Sequence, residues 1–159
     1  MIAVTLDSAQ VKGFMGQMLR EDVFDEFEVR GVEIGLDVRI SINGVLEVEV
    51  EDEVAADTQK VQGFSTWAAL RPLVYTIIKT GQKPKLIKIV FSYKAQNVHA
   101  IHPNAAALFL NMIYENDNVH FTTATSQKEF ALDKSLDNNW DDWMRAFFAQ
   151  KNITITDRE

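Results

Sequence analysis

Residues 65–94, STWAALRPLVYTIIKTGQKPKLIKIVFSYK, set the plan of this chain. Trp67, Leu70, Leu73, Val74, Ile77 and Ile78 recur at helical spacing, Gly81-Gln82-Lys83-Pro84 breaks the pattern, and Ile87, Ile89, Phe91 and Tyr93 then alternate as on a strand. Helix, turn, strand is the reading that follows. Pro72 leaves the helix start open. A helix running from Ser65 loses the bond to the Ala68 carbonyl and kinks, whereas a separate turn at Ser65 lets the main helix begin near Arg71.

Upstream, Ile2, Val4 and Leu6 share one face of a short strand, and Asp7 or Ser8 offers a cap to a helix over residues 8–20 that carries Val11, Phe14, Met15, Met18 and Leu19. Gly13 and Gly16 each weaken that helix by about 1 kcal/mol against alanine, which points either to close packing on their side or to a helix held by tertiary contacts. After an acidic link over residues 21–26 come a strand region at 27–34 and an alternating pair. Leu36, Val38 and Ile40 form one member, Leu46, Val48 and Val50 the other. A three-residue loop, Ile42-Asn43-Gly44, matches their faces: it pairs Ile40 with Leu46 and Arg39 with Glu47 and gives Gly44 a left-handed backbone. Residues 51–57 read as an exposed acidic loop, and residues 58–64 as a short strand feeding the central helix.

Downstream, residues 95–107 are irregular or partly helical. Strands follow at 108–115 and 119–126 about a Glu115-Asn116-Asp117-Asn118 turn, with a third at 128–132. Leu136, Trp140, Trp143, Met144, Phe147 and Phe148 then mark an amphipathic helix over residues 135–150, and residues 153–156 form an edge strand or a tail.

Composition bounds the class. The chain has 159 residues, 47% apolar and 25% charged, which suits one soluble globular domain spanning residues 1–159. No apolar run approaches the roughly 18 to 20 residues of a membrane span, and the first eight residues lack signal-peptide character, so a cytoplasmic protein without a membrane partner is expected. Zero Cys removes disulfides, thiolate metal sites and a cysteine nucleophile. The net charge of -7 hides a division: residues 1–57 carry fourteen acids and four bases, residues 58–114 seven bases and no acid, residues 115–159 nine acids and five bases.

Strand, helix and three strands occupy residues 1–51; strand, helix and four strands occupy residues 58–132. This order of elements resembles one domain of the DNA sliding clamps, the ring-shaped polymerase processivity factors. The resemblance implies an α+β, DNA clamp-like fold: two β-α-β-β-β units sharing a curved antiparallel sheet, here with an added C-terminal amphipathic helix. It covers element order alone and carries over no functional residue by position. The run LFLNMIYENDNVHFTTATSQKEFALDKSL followed by NNWDDW also resembles an uncharacterised family of bacterial proteins, which implies no activity.

Site chemistry narrows by elimination. His99 and His102 are spaced for a shared metal only if their stretch is helical, and no acid lies between Asp57 and Glu115 to complete the shell, so surface histidines and no metal site are expected. His120 falls on a solvent-facing strand position. No serine stands in a nucleophile elbow, no glycine loop cradles phosphate, and the clustered carboxylates of residues 47–53 are explained by alternation on an exposed strand. No cofactor is implied. Trp140 and Trp143 share the apolar face of their helix, which favours burial over display.

The basic window remains. Lys12, Arg71, Lys79, Lys83, Lys85 and Lys88 are the candidate nucleic-acid contacts; with the two helices side by side, Lys12, Arg71 and Lys79 line one face and offer cations to phosphate. The bland alternative is that these bases balance the acids of flanking strands. The expectation is a non-enzymatic binding or assembly domain whose partner is nucleic acid or a protein of DNA metabolism, by analogy of fold. The competing expectation is a small enzyme whose site joins His99 and His102 to the acidic loop at residues 51–57.

Overall fold

In the computed structural model, which describes residues 1–47, 63–80 and 82–158, the alternating apolar positions meet in one row across the molecule. Strands β1 (Ala3–Leu6), β2 (Glu28–Gly35), β3 (Arg39–Asn43), β4 (Leu86–Ser92), β5 (Ala105–Glu115), β6 (Asn118–Gln127) and β7 (Ile155–Asp157) build a single open sheet in the order β3-β2-β4-β5-β6-β1-β7. Every pairing is antiparallel. The register places Ile42, Val32, Ile89, Met112, Phe121 and Val4 side by side on one face. The neighbouring row on the opposite face reads Ser41, Glu33, Lys88, Ile113, His120, Thr5 and Thr156. The period of two thus separates an apolar face from a mixed one.

Among the described residues three helices cover the apolar face: α1 (Val11–Arg20), α2 (Trp67–Ile78) and α4 (Ser135–Gln150); the single-turn α3 (Val98–Ile101) lies beside α4 and β5. Phe14 of α1 and Phe148 of α4 both pack on Phe121, and Trp67 of α2 stands edge-on to Phe91 at 5.5 Å. The chain is therefore α+β, as expected, with helices on one side of an antiparallel sheet. None of its described helices is long and apolar enough to cross a membrane.

α2 settles the choice that Pro72 left open. The helix begins at Trp67 and runs through the proline, because Thr66 caps it, its Oγ1 accepting from Ala69 N–H at 3.3 Å, and because Trp67 N–H is held by the Phe27 carbonyl at 2.9 Å. Pro72 forfeits one intrahelical bond, which a helix fixed at its first turn tolerates. The helix over residues 135–150 has the expected limits; Trp140 and Phe148 are buried, while Trp143 is half-buried and stacks between Trp140 and Phe147.

Two expected hairpin features are corrected. β3 starts at Arg39, not Leu36, and residues 36–38 form the turn back from β2, closed by Leu36 N–H donating to the Val38 carbonyl at 2.9 Å. Ile40 faces Ile34 and Arg39 faces Gly35; neither pairs with Leu46 or Glu47. The chain runs straight past Asn43, with Gly44 N–H bonded to the Arg30 carbonyl at 3.0 Å, and Gly44 lacks the left-handed φ expected of it. Val45 instead bridges Phe64. Val48 and Val50, the acidic loop and residues 58–62 of the expected strand lie outside the described residues, as does Gly81 of the breaker.

Residues 128–132 are not a strand, so three strands, not four, follow α2 before α4. Side chains take over the bonding there: Asn104 Oδ1 accepts from Glu129 N–H and its Nδ2 donates to the Glu129 carbonyl, at 3.0 and 2.8 Å. Gln127 does the same for Ala131 at 3.0 and 3.1 Å. The β5–β6 turn is as expected, with Asn116 and Asp117 both left-handed at φ 53° and 61°, the geometry of a tight two-residue hairpin turn.

The glycines of α1 do not mark a packing site. A Cβ on Gly13 meets nothing within 4 Å, and one on Gly16 meets only the flexible tip of Arg20. Gly13→Ala is accordingly expected to stabilise the protein by about 1 kcal/mol, measured as a raised urea midpoint at constant m-value.

Candidate functional site

The helix pair positions the basic residues. α1 and α2 pack together in opposite directions: Trp67, at the start of α2, donates its indole N–H to the Met18 carbonyl near the end of α1 at 3.0 Å. The beginning of α1 therefore lies at the same end of the molecule as the exit of α2. Lys12 and Lys83 meet there, on the rim of a half-open cleft of about 430 Å³ lined by Ser8, Val11, Met15, Tyr114 and Asp117. Lys85 joins Lys83 in the adjoining hollow beside Pro84 and Asn116, and Lys79 caps α2 with its ammonium 5.5 Å from the Tyr75 ring centre.

The other two candidates lie elsewhere. Arg71 makes a two-pronged bond to Asp25, at 3.1 and 2.8 Å, which pins the link after α1 against α2. That bond raises the Arg71 pKa further above its ordinary value. Lys88 sits in the mixed row between Glu33 and Ile113, on the sheet face away from the helices. The structure thus gathers Lys12, Lys83 and Lys85 at one corner, with Lys79 at the end of α2 four residues before Lys83, while Arg71 is engaged by Asp25.

Acids are already present at this corner. Lys83 pairs with Asp117, which also accepts from the Tyr114 hydroxyl at 3.1 Å, and Lys85 lies 3.8 Å from Asp37. The Lys83 bond, followed by the Tyr114 bond, lowers the Asp117 pKa; burial, and then the bond to Asp117, raises that of Tyr114. Lys12 forms no ion pair with any described residue.

The histidine region has a definite polarity. His102 Nδ1 accepts from Asn104 N–H at 3.0 Å, so the neutral ring carries its proton on Nε2 and donates to Ser135 Oγ at 2.9 Å. A general base for Ser135 requires the reverse arrangement. His99 Nε2 instead accepts from Lys128 Nζ at 2.9 Å. Among the described residues no group of three or more His, Asp or Glu is gathered to hold a metal. His120 occupies the mixed face, half-buried, with Nδ1 3.0 Å from Thr5 Oγ1; burial, and then Arg158, lower its pKa.

Some placements had no clear signal in the chain. Arg30 lies with its guanidinium 3.7 Å from the Phe64 ring centre and 5.2 Å from that of Phe109, and bonds Ser92 Oγ at 3.2 Å. Burial lowers its pKa. The register break between Val29 and Gly31 turns it to this side, and such a bulge is invisible to a count of alternation. Asp141 turns inward from the Trp-Asp-Asp-Trp segment to accept from the buried Thr123 hydroxyl at 2.6 Å.

A family model described as "Family of unknown function (DUF5721)" matches residues 17–156. No curated protein and no solved structure matches the chain.

Proposed function

Because the chain belongs to the DUF5721 family, which is of unknown function, no activity comes with membership, and we propose from the geometry that it is a non-enzymatic binding or assembly domain. The partner class is nucleic acid or a protein of DNA metabolism, met through the corner formed by Lys12, Lys79, Lys83 and Lys85. The observation that carries this reading is the opposed packing of α1 and α2 on one sheet face, which gathers cations from separate parts of the sequence at one end. Phosphate binding needs cations that are close together and accessible, and Lys12 and Lys83 share one open rim.

The strand pairing supports the clamp-like plan. β1, the first strand of the first half, pairs with β6, the last of the second; Phe64, at the start of the second half, bridges Val45, at the end of the first. The halves join where β2 pairs with β4. Each half thus lends its first segment to the other, an arrangement suited to two units of common design. The step from that plan to nucleic acid is one of fold analogy.

Retention on heparin or a double-stranded DNA column at low salt tests the proposal. The triple variant K12E/K79E/K83E is expected to elute much earlier, with the slope of log affinity against log salt reduced by roughly 2 to 3, at about 0.9 for each phosphate no longer neutralised. K88E, on the opposite sheet face, is expected to elute like the wild type. Failure of the wild-type protein to bind at low salt, or equal retention of all three proteins, overturns the reading.

A further inference from the structure

We propose that this chain associates head to tail with a second copy of itself, Phe130 and Leu132 of one copy entering the cleft between Val11, Met15 and Tyr114 of the next. Phe130 and Leu132 are 86% and 83% exposed, although both are large and apolar. They do not hang on a loose loop. The Asn104 and Gln127 side-chain amides each satisfy both backbone groups of one loop residue, Glu129 and Ala131, and Lys128 N–H bonds the Asn104 carbonyl at 2.9 Å. These bonds fix the backbone on either side of Phe130 while two apolar groups face water. Pre-ordering of this kind removes much of the entropy that docking a loop otherwise loses.

The receiving surface is on the same chain. The cleft has an apolar floor of Val11, Met15 and Tyr114, and about 430 Å³ suits a pair of side chains of this size. Its rim carries Lys12 and Lys83, the latter paired with Asp117, while Glu129 and Asp133 directly flank the two apolar residues of the loop, with Lys128 and Lys134 one position further out. Lys12, which has no ion pair with a described residue, is therefore the cation available to meet Glu129 or Asp133 beside an apolar centre, the arrangement of an anchor and its pocket.

The loop cannot fill its own cleft. It follows β6 at the open end of the β5–β6 hairpin, next to Ala105 and Gln127, while Tyr114 and Asp117 stand at the turn. β5 has 11 residues, so the two sites lie about 35 Å apart at roughly 3.3 Å per residue. Loop and cleft at opposite ends of one hairpin define a heterologous contact, in which each copy uses two different surfaces.

Sedimentation velocity over a concentration series tests this. The wild-type weight-average mass is expected to rise above the 18.1 kDa of one chain with concentration. F130E/L132E, altered only at exposed positions, is expected to sediment as a monomer throughout, at least about tenfold weaker in self-association, with unchanged thermal melting. S8W and M15W each fill the cleft and are expected to be monomeric too; S8W acts from the exposed rim and guards against misfolding of the other. Mixing F130E/L132E with S8W then restores one intact loop and one intact cleft, and yields dimers and nothing larger. A wild-type protein monomeric at every concentration, association untouched by F130E/L132E, or no dimer in the mixture overturns the proposal. Retention of F130E/L132E on DNA reads the nucleic-acid proposal separately, because the substituted loop holds none of its lysines.

Discussion

Trp67→Ala is expected to lower the unfolding free energy by about 3 to 5 kcal/mol, read from equilibrium denaturation in urea. Trp67 is fully buried, and its truncation removes three things at once. The edge-on packing against Phe91 disappears, a cavity opens under the first turn of α2, and the Met18 carbonyl loses its indole donor. The last effect separates from the others in Trp67→Phe, which keeps most of the apolar volume and is expected to lose about 1 to 3 kcal/mol for a buried acceptor left unpaired. Since this one residue ties α2 to α1, the alanine variant should also loosen the corner at the far end of the helix pair. Faster amide hydrogen exchange over residues 11–15 is the expected sign. Equal stability of Trp67→Ala and Trp67→Phe would show that the ring volume contributes little.

Gly44→Val is expected to destabilise the protein by about 3 kcal/mol or more, enough to reduce the soluble yield. A Cβ at this position falls 1.8 Å from the Val29 carbonyl oxygen and 2.7 Å from its carbon. Both atoms belong to the backbone of β2 and cannot rotate aside. The segment carrying Gly44, just past β3, must then retreat from β2, breaking the bond from Gly44 N–H to the Arg30 carbonyl and the one from Ser65 N–H to the Gly44 carbonyl. The second bond joins residues 63–65 to the sheet edge just before α2 begins. Gly44→Ala meets the same carbonyl and is expected to behave almost as badly, whereas Gly13→Ala, with open space around it, is expected to stabilise. A Gly44→Ala variant as stable as the parent would contradict the close approach.

The contrast between these glycines shows where a sequence stops being informative. Asn43-Gly44 between alternating apolar runs reads as a hairpin turn, because left-handed backbone is the commonest reason for glycine in that setting. Here the reason is steric, and the obstacle is a carbonyl supplied by β2, fifteen positions back along the chain. Phe24 makes the same point. It lies in the acidic link between α1 and β2, yet it is fully buried and stacks on Phe91 with ring centres 4.8 Å apart. One aromatic residue among Glu and Asp has no period to betray it.

The candidate site was legible only as an inventory. Seven bases without an acid between residues 58 and 114 mark a charge asymmetry, but Arg71 finds Asp25 across 46 positions and Lys88 takes the far face of the sheet. Lys12, from the acidic part of the chain, arrives beside Lys83 only because α1 and α2 run in opposite directions.

By itself the sequence determined what depends on neighbours a few residues apart: the limits of the helix at residues 135–150, the alternation of β4, the turn at Asn116-Asp117 and the α+β class. Periodicity reports that a face is buried, because a side chain's direction follows from the local backbone. It does not report what buries that face. Strand order, the covered side of the sheet, the straight passage of Gly44 and the meeting of the lysines were decided by tertiary packing, which joins groups whose separation along the chain carries no local signal.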